Sequence, residues 1–285
     1  MTMPLDKTWL GIELVGKSGV YKLPGLRAFA SINSPGGYAA YSDLGLRVYG
    51  MTMQMMDYFS SVGTDMAATL DQSVRLYAGY ESGPKKMVFE GTIIRAYPDM
   101  AGLPEPFFSI SAVAGGYARS IPAAPGRWPR SWSAEGIIKS IATAAGLKFL
   151  NDGGAHKTLV NQVASGSAIE QIATICKAAG FPYLLENDTV VIWPNEGYRD
   201  SSVIDLSEKT GMVGFPQYGP AWFVVKSKFN PEIKNGRQIK VASSLPKSNG
   251  VWGSHAVLHE LSSQAPGGPW FTTVTLAPPG YVPAN

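Results

Sequence analysis

From Thr8 to about Ala114, apolar side chains either alternate with polar ones or run in short blocks: TWLGIELVG, SVRLYAGY, KMVFEGTIIRAY and FFSISAVA. Alternation with a period of two buries one face of an extended segment, and the Gly, Pro and Asn turns between the blocks end each one, so they predict strands. Within this region TMQMMDYFSSV, residues Thr52 to Val62, spaces Met53, Met56 and Phe59 or Tyr58 as a helix would. It predicts a short helix that could lid a barrel, ended at Gly63. The following GGYARSIPAAPGRWP, Gly115 to Pro129, has no usable period and three prolines. It predicts an exposed connection with a domain boundary in it.

The pattern then changes. SAEGIIKSIATAAG, Ser133 to Gly146, recurs as SAIEQIATICKAAG, Ser167 to Gly180. In each copy a serine can cap the helix start, a glutamate sits in the first turn and glycine supplies the left-handed stop. A short apolar strand follows each helix, LKFL and FPYLLE, and the second turns at Asn187-Asp188 into TVVIWP. The unit reads as two α-β pieces ending in a hairpin. A 34-residue offset also fits a tetratricopeptide array, but two copies, intervening strands and a missing signature rule that out.

From Ser201 the strand pattern returns in VIDL, AWFVVKSKF, QIKVASS, GVWGSHAVLHEL and WFTTVTLA. A second internal echo lies here. MVFEGTIIRAYPDMAGLPEPFFSISA reads strand, Gly91, strand, turn, then Pro106 with Phe107-Phe108 and a last strand. GVWGSHAVLHELSSQAPGGPWFTTVTLA repeats that order through Gly253, Pro269 and Trp270-Phe271. The fold class expected is mainly β with α+β: two related tube-like β-barrel domains bridged by a small α/β domain. The boundaries follow as 1–114 for the first barrel, 115–130 for the linker, 131–198 for the α/β domain and 199–285 for the second barrel.

Composition narrows the function. The chain has 285 residues, enough for two or three cores. Its 24 Lys and Arg against 21 Asp and Glu leave only +3, which gives no support to phosphate-dominated nucleic-acid binding. The single Cys176 lies in an apolar helical pattern and reads as a small buried hydrophobe. The first ten residues lack the apolar core of a signal peptide and no stretch approaches a membrane span, so folding in a cytoplasm is expected.

The arrangement resembles the baseplate hub proteins of tailed bacteriophages, the late control protein D and VgrG N-terminal-like tail hubs found also in tailocins and type VI secretion spikes. The carriers are GLRVYGMTMQMMDYFSSVG, FEGTIIRAY, SAEGIIKSIATAAGLKF with its echo, and GSHAVLHEL followed by PGGPWFTTVTLAPP. The resemblance implies a non-enzymatic homotrimer whose two barrels per subunit make a pseudo-sixfold ring in the virion tail. That ring would join a sixfold tail tube to a threefold spike or central fibre and let DNA pass. Implied partners are the tail tube or distal tail protein, the tape measure protein and the spike, with no membrane, no sequence-specific nucleic acid and no cofactor. No lysozyme-like or needle segment follows Asn285, so the resemblance assigns any piercing tip to another chain.

Five features invite chemistry. GIELVGKS, Gly11 to Ser18, matches the phosphate-loop spelling, but its middle residues are strand-like and Pro24 blocks the helix that should follow, so a hairpin turn at Gly16 to Gly19 is expected. His255 and His259 have the spacing of helical zinc ligands, with Glu260 beside them. On a strand they lie roughly 13 Å apart, too far for one metal, and a strand is the expectation. His156 reads as an exposed loop residue. Carboxylates such as Glu13, Glu90, Glu105, Glu135, Glu170 and Glu186 could hide a muramidase pair, whereas the plainer reading is solvated turns and helix starts. The aromatic pairs Trp128 with Trp132, Trp222 with Phe223, and Trp270 with Phe271 fit barrel cores or subunit seams. The rivals to the hub reading are a peptidoglycan-degrading tail enzyme and a carbohydrate- or receptor-binding module.

Overall fold

A computed structural model describes residues 7–36, 40–61, 71–101 and 104–278, without the side chains at 40, 200 and 201. Strands dominate. The chain divides into two compact units, one made of residues 1–32, 43–116 and 259–271, the other of 33–42, 117–258 and 272–285.

The first unit is built on a sheet of order β3-β5-β8-β7-β6-β1-β2. Its strands are β1 (Thr8–Gly16), β2 (Gly19–Leu23), β3 (Ala28–Ser34), β5 (Asp43–Tyr49), β6 (Ser73–Tyr80), β7 (Lys86–Asp99) and β8 (Phe107–Val113). Period two sets the inner face. Leu10, Ile12 and Leu14 of β1, Leu44, Leu46 and Val48 of β5, and Phe108 and Ile110 of β8 are all buried. Removing these side chains from water, at about 25 cal/mol per Å² of apolar surface, is what holds the strands in register. The helix α1 (Met53–Phe59) forms where the Met/Phe spacing predicts it. Thr52 caps it by accepting the Met55 N–H (3.3 Å), and the fully buried Phe59 packs edge-on against Tyr21 of β2. The expected stop at Gly63 lies outside the described residues.

The second unit holds a sheet of order β15-β16-β19-β18-β17-β14 and a four-stranded sheet of order β10-β13-β12-β4. The first comprises β14 (Arg199–Ser207), β15 (Met212–Tyr218), β16 (Phe223–Lys228), β17 (Arg237–Ala242), β18 (Gly250–Ser263) and β19 (Trp270–Ala277), the last two running on into the first unit. Leu206, Phe223, Val225, Ile239, Val241, Val257 and Val274 form its core. The second sheet comprises β4 (Ala40–Tyr41), β10 (Lys148–Asn151), β12 (Tyr183–Glu186) and β13 (Thr189–Ile192). Here β10 and β13 run parallel, as do β12 and β4, while β12 and β13 form the expected hairpin, with Asn187 at a φ of 54° in the turn.

Helices α3 (Ala134–Ala144) and α4 (Ala168–Ala179) are the predicted repeat. Ser133 accepts the Gly136 N–H at 3.2 Å. Ser167 does the same for Glu170 (3.3 Å) and donates its own N–H to the Glu170 carboxylate (2.7 Å), a reciprocal capping box. Gly180, at a φ of 75°, ends α4 in the left-handed conformation that glycine tolerates best. Ile137, Ile138, Ile141, Ile172 and Ile175 face inward, with Cys176 fully buried among the inward residues of α4.

Gly115–Pro129 carries more regular structure than its prolines suggest. It contains α2 (Gly116–Ser120) and the start of β9 (Gly126–Ser133), which pairs antiparallel with β11 (Thr158–Ala164). The pattern is hidden because a bulge interrupts the ribbon, with Arg130 and Asn161 both at positive φ and the Arg130 N–H donated to the Asn161 side chain. A bulge breaks the period of two, so alternation cannot reveal the strand.

Candidate assembly surfaces

In the first unit the outer face of the sheet gathers polar and aromatic side chains by register alone. Lys22 of β2 lies opposite Glu13 of β1, Glu13 opposite Arg75 of β6, and Arg75 opposite Glu90 of β7. The signs alternate across four strands. Lys22 approaches Glu13 at 3.5 Å and Arg75 donates to Glu90 at 2.7 Å, which raises the Arg75 pKa above its ordinary value. Such pairs favour this register over its neighbours, each by a few tenths to about 1 kcal/mol. Farther along the same face Arg27, Arg47 and Arg95 lie over the rings of Tyr49, Phe107 and Tyr97 at 4.0, 5.5 and 4.6 Å. The result is a polar and aromatic face of the kind found where proteins meet.

The second unit holds a buried charge knot. Arg199, at the start of β14, is only 4% exposed at its side chain. Its guanidinium donates twice to Glu186 of β12 (2.8 and 3.2 Å), once to Asp152 after β10 (3.2 Å) and once to the Asn235 carbonyl (3.2 Å). Lys234 adds a second cation 3.5 Å from Glu186. Burial by itself would push the Glu186 carboxyl up, but Arg199 and Lys234 together outweigh it and hold the group below its usual value. One planar fork thereby links β10, β12, β14 and the turn before β17. Gly236 makes room: its φ is 83°, and a Cβ there would lie 2.8 Å from Trp193 and 2.9 Å from the Arg199 side chain.

The residues singled out for chemistry fall as follows. Gly11 to Ser18 runs along β1 into a two-residue hairpin with Gly16 paired to Gly19, and the Ser18 N–H donates to the Tyr58 hydroxyl at 3.1 Å. The segment is a strand and turn. His255 and His259 both lie on β18, the strand expected. His156, exposed as expected, pairs with Glu135 in the first turn of α3. Glu105 pairs with Arg27, and Glu170 closes the capping box. Among the described residues no three His, Cys, Asp or Glu side chains converge as metal ligands. Of the aromatics, Trp270 and Phe223 are buried, Trp270 tilting against Tyr80 and Phe223 edge-on to Trp252. Trp132 is half exposed on β9. The Arg199 knot was missed from sequence because an isolated arginine at the start of a strand carries no periodic signal, and its partners lie 13 and 47 residues away.

The echo between β7/β8 and β18/β19 is matched in space. Each pair begins with a strand of 14 residues, where the pattern around the glycine suggests two strands. Gly91 sits opposite the Val113 carbonyl at the end of β8, and Gly253 opposite the Ala277 carbonyl at the end of β19. A model of the family Baseplate hub gp41 matches residues 48–275. The chain belongs to that family. As a Baseplate hub gp41 protein it is a structural component of the phage tail, with a β-rich tail hub fold.

Three solved structures share that fold. A tail protein from Neisseria meningitidis MC58 superposes with a TM-score of 0.64 at 10% identity, over 95% of this chain and 97% of that one. The 43 kDa tail protein of prophage MuSo2 from Shewanella oneidensis gives 0.63 at 10% identity, over 94% and 97%. The Escherichia coli c3393 protein, a type VI secretion component with structural similarity to phage T4 tail proteins gp27 and gp5, gives 0.63 at 11%, over 91% and 76%. The sequence matches no curated protein significantly. At such identities the fold is what this Baseplate hub gp41 chain shares with the three.

Proposed function

We propose that the chain is the ring-forming subunit of a baseplate hub: a non-enzymatic homotrimer that adapts a sixfold tail tube to a threefold spike or central fibre. DNA passes through its lumen. The single observation that carries this reading is the duplicated strand pair, β7/β8 and β18/β19, each with a glycine facing the last carbonyl of its partner. A subunit that presents two like β-domains turns three copies into six near-equivalent positions, and a closed ring covers strand edges that a lone subunit leaves open. In the same reading 1–114 and 199–285 are the two tube-like domains, 115–130 links them to the α/β domain 131–198, and assembly takes place in the host cytoplasm. The tail tube or distal tail protein, the tape measure protein and the spike are its neighbours.

Light scattering on the purified chain, followed by negative-stain imaging with its tail partners, tests the ring. A threefold ring is expected. A chain that stays monomeric with those partners present overturns it, and a cleared zone on a cell-wall zymogram would overturn the non-enzymatic part.

A further inference from the structure

In the second unit the apolar core of the small sheet is separate from that of the larger one. Leu184, Val191 and Trp193 form the first, while Leu206, Val225, Ile239 and Val274 belong to the second. Between them stands the Arg199 knot. The small sheet supplies Glu186 from β12 and Asp152 just after β10, and the larger sheet supplies Arg199 from β14 and Lys234 before β17. The chain crosses from one sheet to the other through residues 193–198, where the Gly197 N–H donates to the Pro194 carbonyl at 3.1 Å. Gly153 fits the loop after β10 against this crossing, since at its φ of 96° a Cβ would strike the Tyr198 carbonyl. The short strand β4 adds only two residue pairs to the edge of the small sheet.

A joint of this kind opens differently from an apolar one. Parting apolar faces exposes hydrocarbon to water, whereas parted charges regain their hydration, which offsets much of the lost attraction. Trp193 reaches the joint as well, but it meets the guanidinium, 5.7 Å from its ring, and the bare backbone of Gly236. The closed geometry is also narrow. One planar guanidinium bonds both carboxylates and the Asn235 carbonyl only while the elements stay in register, and once water enters, the attraction between the same charges falls steeply. The knot thus has a dry closed state and a wet open one. Domains that meet through polar contacts move relative to one another by default, unlike those that share a large apolar interface.

We infer that the Arg199 knot is a latch. While it is closed, the small sheet with α3 and α4 is held against β14 and the turn before β17, and when it opens they turn as a body about residues 193–198. The latch is a property of one chain and does not depend on three chains closing into a ring.

The test measures distances across the joint in the full chain by electron paramagnetic resonance. Spin labels go on two pairs of exposed sites, Lys139→Cys with Lys228→Cys and Lys177→Cys with Lys228→Cys, while the buried Cys176 stays unlabelled under native conditions. The chain with Arg199 intact should give one distance for each pair. Arg199→Met breaks the knot and keeps an apolar stem, and it should raise the open fraction at least about tenfold, seen as a second distance, while circular dichroism below the melting transition stays native. Arg199→Lys keeps a charge but loses the fork, so it should show the same second distance more weakly and serves as the reading if Arg199→Met does not fold. Unchanged single distances for both label pairs in a folded Arg199→Met or Arg199→Lys chain overturn the latch. So does loss of native circular dichroism in both variants, since Arg199 would then belong to one indivisible core.

Discussion

Replacing Arg199 by alanine should be strongly damaging to the second unit. The substitution removes every guanidinium donor in the knot, leaving Glu186 with Lys234 and Asp152 without its guanidinium. Breaking a buried pair by deleting one partner costs about 3–5 kcal/mol, because the remaining charge stays buried without compensation. The lower end, about 3 kcal/mol, applies here: Asp152 is 23% exposed, so water reaches it, and Lys234 still faces Glu186. At about 2–4 °C per kcal/mol for a unit of this size, the melting temperature should drop by roughly 6–12 °C. Thermal melting followed by circular dichroism and tryptophan fluorescence reads this, with Trp193 5.7 Å from the guanidinium as a local reporter.

Acid provides an independent check of the same charge pair. Glu186 has a folded pKa below its unfolded value, so its contribution is present above the unfolded value near 4.3 and is lost as pH falls through the folded one. The gap between wild type and Arg199→Ala should therefore narrow below about pH 4. Replacing both partners, Arg199→Met with Glu186→Leu, should recover much of the loss, since a packed apolar pair avoids the desolvation cost. A loss under about 1 kcal/mol for Arg199→Ala, or a gap that stays constant into acid, would refute the argument.

Three further outcomes follow from local geometry. Gly91→Ala should cost about 1–3 kcal/mol, because its Cβ would lie 2.6 Å from the Val113 backbone carbonyl, whereas a Cβ at Gly253 meets the Tyr198 ring edge at 3.3 Å and the Ala277 carbonyl at 3.5 Å, so Gly253→Ala needs only a small shift of a side chain and should cost less, about 1 kcal/mol; denaturation midpoints compare them. Ser167→Ala should destabilise by about 1–2 kcal/mol and Ser133→Ala by less, about 0.5–1 kcal/mol, since only Ser167 closes a capping box; the same midpoints decide it. Burial pushes the Cys176 thiol well above its ordinary pKa, so iodoacetamide at mild alkaline pH should leave the native chain unlabelled and modify it in denaturant, as mass spectrometry would record.

Much of this protein was legible in its residues. Period-two blocks such as TWLGIELVG and SVRLYAGY coincide with β1 and β6, because burying one face of a strand demands that alternation. Ser133, Ser167 and Gly180 marked helix ends through bonds that span only a few residues, and the Asn187-Asp188 turn is equally local. The echo around Gly91 and Gly253 was visible in the order of residues, and at Gly91 the glycine itself has a local reason, since a Cβ there would lie 2.6 Å from the Val113 carbonyl. Tertiary structure alone decided the rest. The strand β4 joins β12 across more than a hundred residues, the bulged ribbon β9–β11 hides its alternation, and Arg199 meets Glu186 and Asp152 only after three separate strands have packed. The joint between the two sheets of the second unit belongs to the same class. Its partners come from segments whose individual patterns only report which way each element faces, and the fork between them exists only when they are packed together.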